Sequence, residues 1–354
     1  MSQPRRYLLI SLLTVVVLAL AWSFLRSSPP QVPEAIKHGY SAALEKARNG
    51  QPGAARVLYQ QLGRPDLDDQ QRIRLLAVLA NYPSPQALKL ADADLYHPSA
   101  EVRKAAIKSV LGLVPSGQRS LLLGPLLDDH EQSVRFAAVD ALLGLSPDDQ
   151  GLYFGPLQQV IDEYTQVLKT RGDNVEAQYQ LARLYLHNAD LIKAQQTLEQ
   201  ALRLAPDNLQ AVVLQIEVLD KQGQSDAARQ LLAKQLQAQQ DSAYLQHALG
   251  LWLLHHGQGE FALLGLSRAV ELEPNNAAYR YDLATTLHSE QELEAAQKQL
   301  EEIVQRQPYN RKARVLLISY WKESGQLQNV QVLLAQLEQQ NPDDPALQQG
   351  RVVG

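Results

Sequence analysis

A repeating register of 34 residues constrains this chain more than any other feature of its sequence. From Val175 to residue 344, five consecutive units of 34 residues place small and large apolar residues at the same positions, without an insertion. The unit 175–208 has Leu at position 7, Ala at positions 8, 20 and 27, and Pro at position 32. Such a period predicts stacked pairs of antiparallel helices, because one pair cannot bury its own apolar face.

The register resembles that of the tetratricopeptide repeat family. Small residues at positions 8, 20 and 27 let two helices approach closely, and Pro at position 32 ends the second helix. The second unit, 209–242, departs from the pattern because Gln235 occupies position 27 and no Pro follows it. The resemblance implies a right-handed superhelix over residues 175–344 with a concave inner surface.

A different repeat precedes this array. The pattern V-R-x-A-A occurs at Val102-Arg103 and again 32 residues later at Val134-Arg135. It resembles HEAT repeats, which implies an α-solenoid of about three helix pairs over residues 35–147. A linker and capping helix over residues 148–174 would join it to the second array, and residues 345–354 would form a tail. We expect Arg103 and Arg135 to be structural, each pairing with an acid in the next turn.

The amino-terminal segment differs from the rest of the chain in its apolar character. Residues 7–25 carry no charge and, as a helix, would span roughly 28 Å, close to the thickness of a bilayer core. Arg5 and Arg6 precede the run, which predicts that residues 1–6 stay in the cytoplasm and that residues 7–25 form a transmembrane anchor. Residues 26–34 would be a Pro-rich tether. The alternative is a signal peptide cleaved after Ala21.

Both interpretations of this segment place the body of the chain across the membrane. The resulting prediction is a single-pass protein of the bacterial inner membrane, with its carboxy-terminal body in the periplasm. The fold class is all-α, with two consecutive α-solenoids following one transmembrane helix.

The composition of the chain and its lack of known catalytic motifs exclude most kinds of catalytic and metal-binding site. The chain has no Cys, so disulfides, thiolate metal sites and covalent haem attachment through C-x-x-C-H are ruled out. A net charge of −5 provides no basic field for nucleic acid. No P-loop, zinc-protease or nucleophile motif occurs. We therefore predict neither an enzyme nor a bound cofactor or metal.

What remains for function is the inner face of the 34-residue repeats. First-helix positions 2, 5, 9, 12 and 13 are expected to face inward, and they carry aromatic, basic and imidazole side chains suited to a peptide or helix of a partner protein. The predicted groove residues are Tyr179, Arg183, Tyr244, His247, Tyr281, His288, Lys312 and Lys322.

The order of elements suggests a class of partner. HEAT-like pairs with V-R-x-A-A, a helix containing Glu163-Tyr164 and then the 34-residue repeats resemble the non-haem half of certain bacterial multihaem cytochrome c proteins. This resemblance implies a scaffold that assists a multihaem cytochrome or the cytochrome c maturation machinery. An assembly factor for a pilus or secretion apparatus is the alternative, and a catalytic or cofactor-carrying protein is a third.

Overall fold

The computed structural model describes residues 34–351, with side chains described over residues 39–348. The chain divides into two compact units, residues 1–42 and 43–354. Within the first unit, the described residues are the beginning of α1 (Glu34–Arg48). Everything described below belongs to the second unit, whose described part is helical throughout.

The first part of the second unit contains short helices in close succession. They are α2 (Ala54–Leu62), α3 (Asp69–Leu79), α4 (Pro85–Asp94), α5 (Ala100–Leu113), α6 (Ser116–Leu123), α7 (Gln132–Leu142), α8 (Pro147–Gln150) and α9 (Phe154–Lys169), with short 3-10 turns at Gly124–Asp128 and Gly151–Tyr153. A break at Asn49-Gly50 separates α1 from α2. We call α2–α9 the first solenoid. The prediction that it is HEAT-like stays a prediction.

The 34-residue units fold as five helix pairs, in the predicted register. The first helices are α10 (Val175–His187), α12 (Leu209–Lys221), α14 (Ala243–His255), α16 (Ala277–Ser289) and α18 (Arg311–Glu323). The second helices are α11 (Leu191–Leu204), α13 (Ser225–Ala238), α15 (Gly259–Leu272), α17 (Leu293–Arg306) and α19 (Leu327–Gln340). We number these pairs repeats 1 to 5 and call them together the second solenoid.

Sequence at the boundaries explains where the first helices begin. In each repeat the residue before the first helix accepts a hydrogen bond from the backbone N–H of the third helical residue, which satisfies a group that would otherwise lack a partner. These capping residues are Asn174, Asn208, Ser242, Asn276 and Asn310.

Small residues lie where helices cross, as the register predicts. In repeat 3, Gly250 of α14 packs against Leu266 of α15, and a Cβ at Gly250 would lie 2.5 Å from the Leu266 Cγ. Ala262 and Ala269 of the same pair are fully buried. The core therefore runs between helices as successive apolar clusters, and its spacing depends on the absence of larger side chains at these crossings.

The arginines of V-R-x-A-A are structural, as predicted. The Arg103 guanidinium is buried and donates to Asp129 at 2.8 Å, while Arg135 donates to Glu163 at 2.5 Å. The Arg135 hydrogen bond holds the pKa of the Glu163 carboxyl below its usual value. Arg72 of α3 forms a third pair of this kind with Asp94. Each ion pair joins a helix of the first solenoid to a later element of the same solenoid.

The two ends of the second unit contact each other. The Asn341 Nδ2, at the end of repeat 5, donates to the Pro83 carbonyl at 2.8 Å, and the Gly53 amide donates to the Gln339 carbonyl at 2.7 Å. Gly50 has a φ of +56° and lies so close to repeat 5 that a Cβ there would lie 2.6 Å from the Pro308 oxygen. We call these contacts the end closure. No pattern in the sequence indicated it.

A buried tyrosine supports the end closure from the amino-terminal side. The Tyr59 hydroxyl donates to the Tyr82 carbonyl at 2.6 Å and accepts from the Ser84 hydroxyl at 3.0 Å. Burial raises the pKa of Tyr59 to about 12. The hydroxyl therefore stays protonated and keeps donating at any ordinary pH.

Two further predictions concern the ends of the chain. Residues 345–354, predicted as a tail, contain the helix α20 (Pro345–Arg351), and its Leu347 is buried against Leu337. The predicted anchor at residues 7–25 and tether at 26–34 lie, apart from Glu34, outside the described residues. Among the described helices, none combines the length and the apolar character that crossing a membrane requires.

Replacing Ala269 with Leu tests the helix crossing in repeat 3. Because Ala269 is fully buried where α15 packs, the larger side chain is expected to lower the free energy of unfolding by about 1–3 kcal/mol. Urea unfolding followed by circular dichroism measures this change. The control is Ala335→Leu, at an exposed site of α19, which should leave stability within about 0.5 kcal/mol. Equal stability of the two variants would contradict the helix crossing described here.

Replacing Asn341 with Ala tests the end closure. Removing the Asn341 amide takes away a donor to the buried Pro83 carbonyl, so we expect a loss of about 1–3 kcal/mol in unfolding free energy. Amide hydrogen exchange at Gly53 should become faster, because its bond to Gln339 lies in the same contact. Asn329→Ala, at an exposed position, is the control. Unchanged exchange at Gly53 would show that the two ends do not meet in solution.

Candidate binding groove

The first helices of the five repeats form one surface. Polar side chains of α14 bond to α16, and those of α16 bond to α18, so that neighbouring first helices are linked directly to each other. We call this surface, made of positions 2, 5, 9, 12 and 13 of α10, α12, α14, α16 and α18, the first-helix groove. All eight predicted residues occupy these positions.

Two of the predicted residues link adjacent repeats. The His247 Nε2 lies 2.8 Å from the Asp282 carboxylate, and its ring stacks on Tyr279 with 4.5 Å between centroids. His288 repeats the arrangement with Glu323 at 2.8 Å and Tyr320 at 4.1 Å. Since a carboxylate only accepts, each imidazole donates through Nε2. Both histidines are therefore engaged within the chain, and they fix the spacing of repeats 3, 4 and 5.

A cation–π contact joins two further predicted residues. The Lys312 ammonium lies 3.9 Å from the centroid of the Tyr281 ring, one repeat earlier. Tyr281 is half-buried and packs against the core of repeats 4 and 5, whereas Lys312 is exposed. Burial raises the pKa of Tyr281 above its usual value. Lys312 thus presents its charge at the surface while its position is held by the ring.

Arg183 connects the groove to the first solenoid. Its guanidinium donates at 3.0 Å to Asp140 of α7. Burial raises the pKa of the Asp140 carboxyl, and the Arg183 charge opposes that rise. Beside this pair, the rings of Phe136 and Tyr164 stack with 3.9 Å between centroids. Arg183 therefore holds the first repeat in place as well as lining the groove.

The remaining predicted residues are Tyr179, Tyr244 and Lys322, all half-buried. Burial raises the pKa of both tyrosines, so each keeps its hydroxyl proton as a donor. Tyr179 packs against the core of repeats 1 and 2. It stays a prediction that these eight residues contact a partner. The predicted residues that also hold the solenoid together are Tyr179, Arg183, His247, Tyr281 and His288.

A pocket in the groove was not predicted from the sequence. It has a volume of about 470 Å³ and opens between the first helices of repeats 2 and 3. Its lining residues are Val213, Ile216, Glu217, Asp220, Lys221, Leu232, Ala248, Leu251, Trp252 and His255. A second cavity of about 400 Å³ shares Leu232 and Trp252 with it and reaches Gln240, just after α13. Trp252 therefore lies between two open spaces.

The sequence contained a signal for this pocket. Repeat 2 has Gln235 where repeats 1 and 3 have the fully buried Ala201 and Ala269, and it lacks the Pro that ends a second helix. Gln235 is only half-buried. A long polar residue at a close helix crossing prevents α13 from packing tightly, so that the junction with α14 stays open.

In the described part of the chain, no three His, Cys, Asp or Glu residues are grouped so that they could hold a metal ion.

Comparison with known proteins matches part of the second solenoid to a known repeat family. Residues 190–251 match the family model of the tetratricopeptide repeat. The protein y4yS of Sinorhizobium fredii (strain NBRC 101917 / NGR234), described as uncharacterized, is 33% identical over 101 residues, or 28% of this chain and 56% of that protein. The chain thus spans about half the length of this curated relative.

Solved structures of similar fold have low sequence identity to this chain. A thermophilic TPR protein of Thermus thermophilus is 20% identical, covers 58% of this chain and 98% of its own, and has a TM-score of 0.41. YrrB, a TPR protein with an unusual peptide-binding site, is 20% identical, with 54% and 99% covered and a TM-score of 0.37. PilF of Pseudomonas aeruginosa is 18% identical, with 56% and 91% covered and a TM-score of 0.39.

The match over residues 190–251 falls on helices α11 to α14, and their register continues through α19. Part of the second solenoid therefore matches the tetratricopeptide repeat, and the remaining helix pairs keep the same 34-residue register.

Proposed function

We propose that this protein is an interaction scaffold that holds an extended segment of a partner protein in the first-helix groove. The observation that carries the proposal is the direct linking of neighbouring first helices by the His247–Asp282 and His288–Glu323 pairs. A surface fixed in this way loses little conformational freedom when a ligand binds, which favours affinity. Tyr244, Lys312 and the open pocket supply aromatic, cationic and apolar contacts along it.

Site-specific crosslinking tests the groove. A photoreactive phenylalanine analogue placed at Tyr244 should yield crosslinked partner in cells, whereas the same analogue at Phe261, an exposed residue of the second helix α15, should yield none. Tyr244 is preferred because Tyr179 and Tyr281 pack against core clusters, where a larger analogue would disturb the repeats. Equal capture from both positions would contradict binding in the groove.

The membrane assignment is also part of the proposal. We propose that residues 7–25 anchor the protein in the bacterial inner membrane and that the two solenoids face the periplasm. Support comes from the uncharged run and from Arg5 and Arg6 on its amino-terminal side. The proposed partner is a multihaem cytochrome or the cytochrome c maturation machinery, on the strength of the sequence resemblance alone. Assembly of a pilus or secretion apparatus is the alternative.

A fusion experiment tests the membrane topology. Alkaline phosphatase fused after residue 354 should be active, because the enzyme matures only outside the cytoplasm, and the fusion should stay with membranes after carbonate extraction. A matched fusion lacking residues 1–25 should be inactive and soluble. An active fusion released by carbonate would indicate cleavage after Ala21, and an inactive full-length fusion would contradict the periplasmic assignment.

A further inference from the structure

The pocket between α12 and α14 is the least filled part of the first-helix groove. We propose that it anchors one bulky apolar side chain of the partner's extended segment, and that a Lys or Arg beside that side chain pairs with Glu217. This inference rests on the proposed function, since it names the chemistry of the segment that the groove takes.

The floor of the pocket is apolar and partly open to solvent. Val213, Ile216 and Leu232 line it from repeat 2, and Leu251 and Trp252 line it from repeat 3. Leu251 is 41% exposed, so part of this apolar surface contacts water. Covering this apolar surface would remove it from water, and that is the main source of affinity in a pocket of this kind.

The volume limits what the pocket can accept. At about 470 Å³, it lies toward the lower end of the range for small-molecule sites. It has room for one large side chain with its adjoining backbone and not for a folded element. The occupant is therefore an extended segment that inserts a single anchor residue.

Trp252 forms part of the wall of the pocket and of the neighbouring cavity. Its indole Nε1 is buried and has no hydrogen-bond partner among the described residues. Its large aromatic ring adds apolar contact area for the anchor side chain of a ligand.

The rim determines the charge beside the anchor. The Asp220 carboxylate already accepts from the Ser225 hydroxyl at 2.7 Å and from His256 at 3.0 Å. Glu217 is half-exposed and forms an ion pair with Lys221 of its own helix, in which the charged atoms are 3.8 Å apart, beyond hydrogen-bond distance. Because an exposed ion pair of this kind contributes little, Glu217 can exchange Lys221 for a cation of the ligand, and with Asp220 it outweighs the single charge of Lys221. A cationic residue beside the anchor fits this rim.

Selection of peptides tests the proposal with a defined probe. A phage-displayed library of random 12-residue peptides is selected on the full-length protein in detergent micelles. We expect enriched sequences to share a Leu, Ile, Phe or Trp with a Lys or Arg within two residues. Affinities of the enriched peptides are then measured by fluorescence anisotropy for the wild type and for variants of the pocket.

Matched variants separate the pocket from the rest of the groove. Ala248→Trp fills the pocket and should weaken binding by at least about ten-fold, whereas Ala335→Trp, on the exposed face of α19, should leave it unchanged. Glu217→Lys should shift a repeated selection toward Asp or Glu beside the anchor. Circular dichroism melting confirms that each variant is folded.

The outcomes distinguish the two proposals. If no peptide is enriched and none crosslinks at Tyr244, the proposed function fails. If peptides are enriched but bind folded Ala248→Trp as tightly as the wild type, the groove binds peptides and the pocket is not the anchor site. If Ala248→Trp changes the oligomeric state, a second copy of the chain occupies the pocket, and the inference is overturned.

Discussion

One side-chain contact recurs through both solenoids and ties their loops to their helices. The fourth residue of a first helix is long and polar, and it donates to a backbone carbonyl six residues earlier, in the loop that precedes the helix. The residues that do this are Arg103, Arg135, Gln178, Gln246, Arg280 and Arg314. The loop carbonyl would otherwise lack a partner, so each contact satisfies a backbone group and fixes the angle at which the helix leaves the loop.

The arginines among these side chains also reach a second element. Arg280 donates to Gln299 of its own second helix at 2.6 Å, and Arg314 donates to Gln340 at 2.7 Å. In the first solenoid, Arg103 reaches Asp129 in the same way. Each of these side chains thus joins a loop, a first helix and the element that follows. Repeat 2 is the exception, because its fourth residue is Val212, which is fully buried among apolar residues.

How much of this the sequence predicts depends on how far apart the interacting residues lie. The register at Ala182, Ala194 and Ala201 predicted the repeats, because it reports contacts within one helix pair. Gln235 carried a local signal of the open junction, although its consequence depends on how α13 and α14 pack. The contact between Asn341 and Pro83 joins residues 258 apart in the chain. This contact forms because the small rotations between successive helix pairs add up to bring the two ends together. No local sequence pattern specifies that total rotation.

The groove residues show why a binding surface is harder to predict than a fold. The sequence predicts a ligand-binding role for His247, His288 and Arg183, because polar residues at inward positions suit a ligand. In the structure each of the three has an acidic partner within the chain. Pairing on a surface does not exclude binding, but such a side chain must exchange one partner for another, and the net gain is small. The apolar walls of the pocket, by contrast, have no such partner to exchange when a ligand covers them.

The end closure determines how the groove can respond to a partner. Its contacts bury Asn341, whose amide donates to the Pro83 carbonyl only while repeat 5 lies against residues 50–84. Separating the ends would leave several buried polar groups without partners, whereas the apolar junctions between repeats tolerate small shifts. The curvature of the groove is therefore fixed at its ends. It can change most easily at the junction of repeats 2 and 3, where cavities lie on both sides of Trp252. A segment bound there meets the most adaptable part of an otherwise fixed surface.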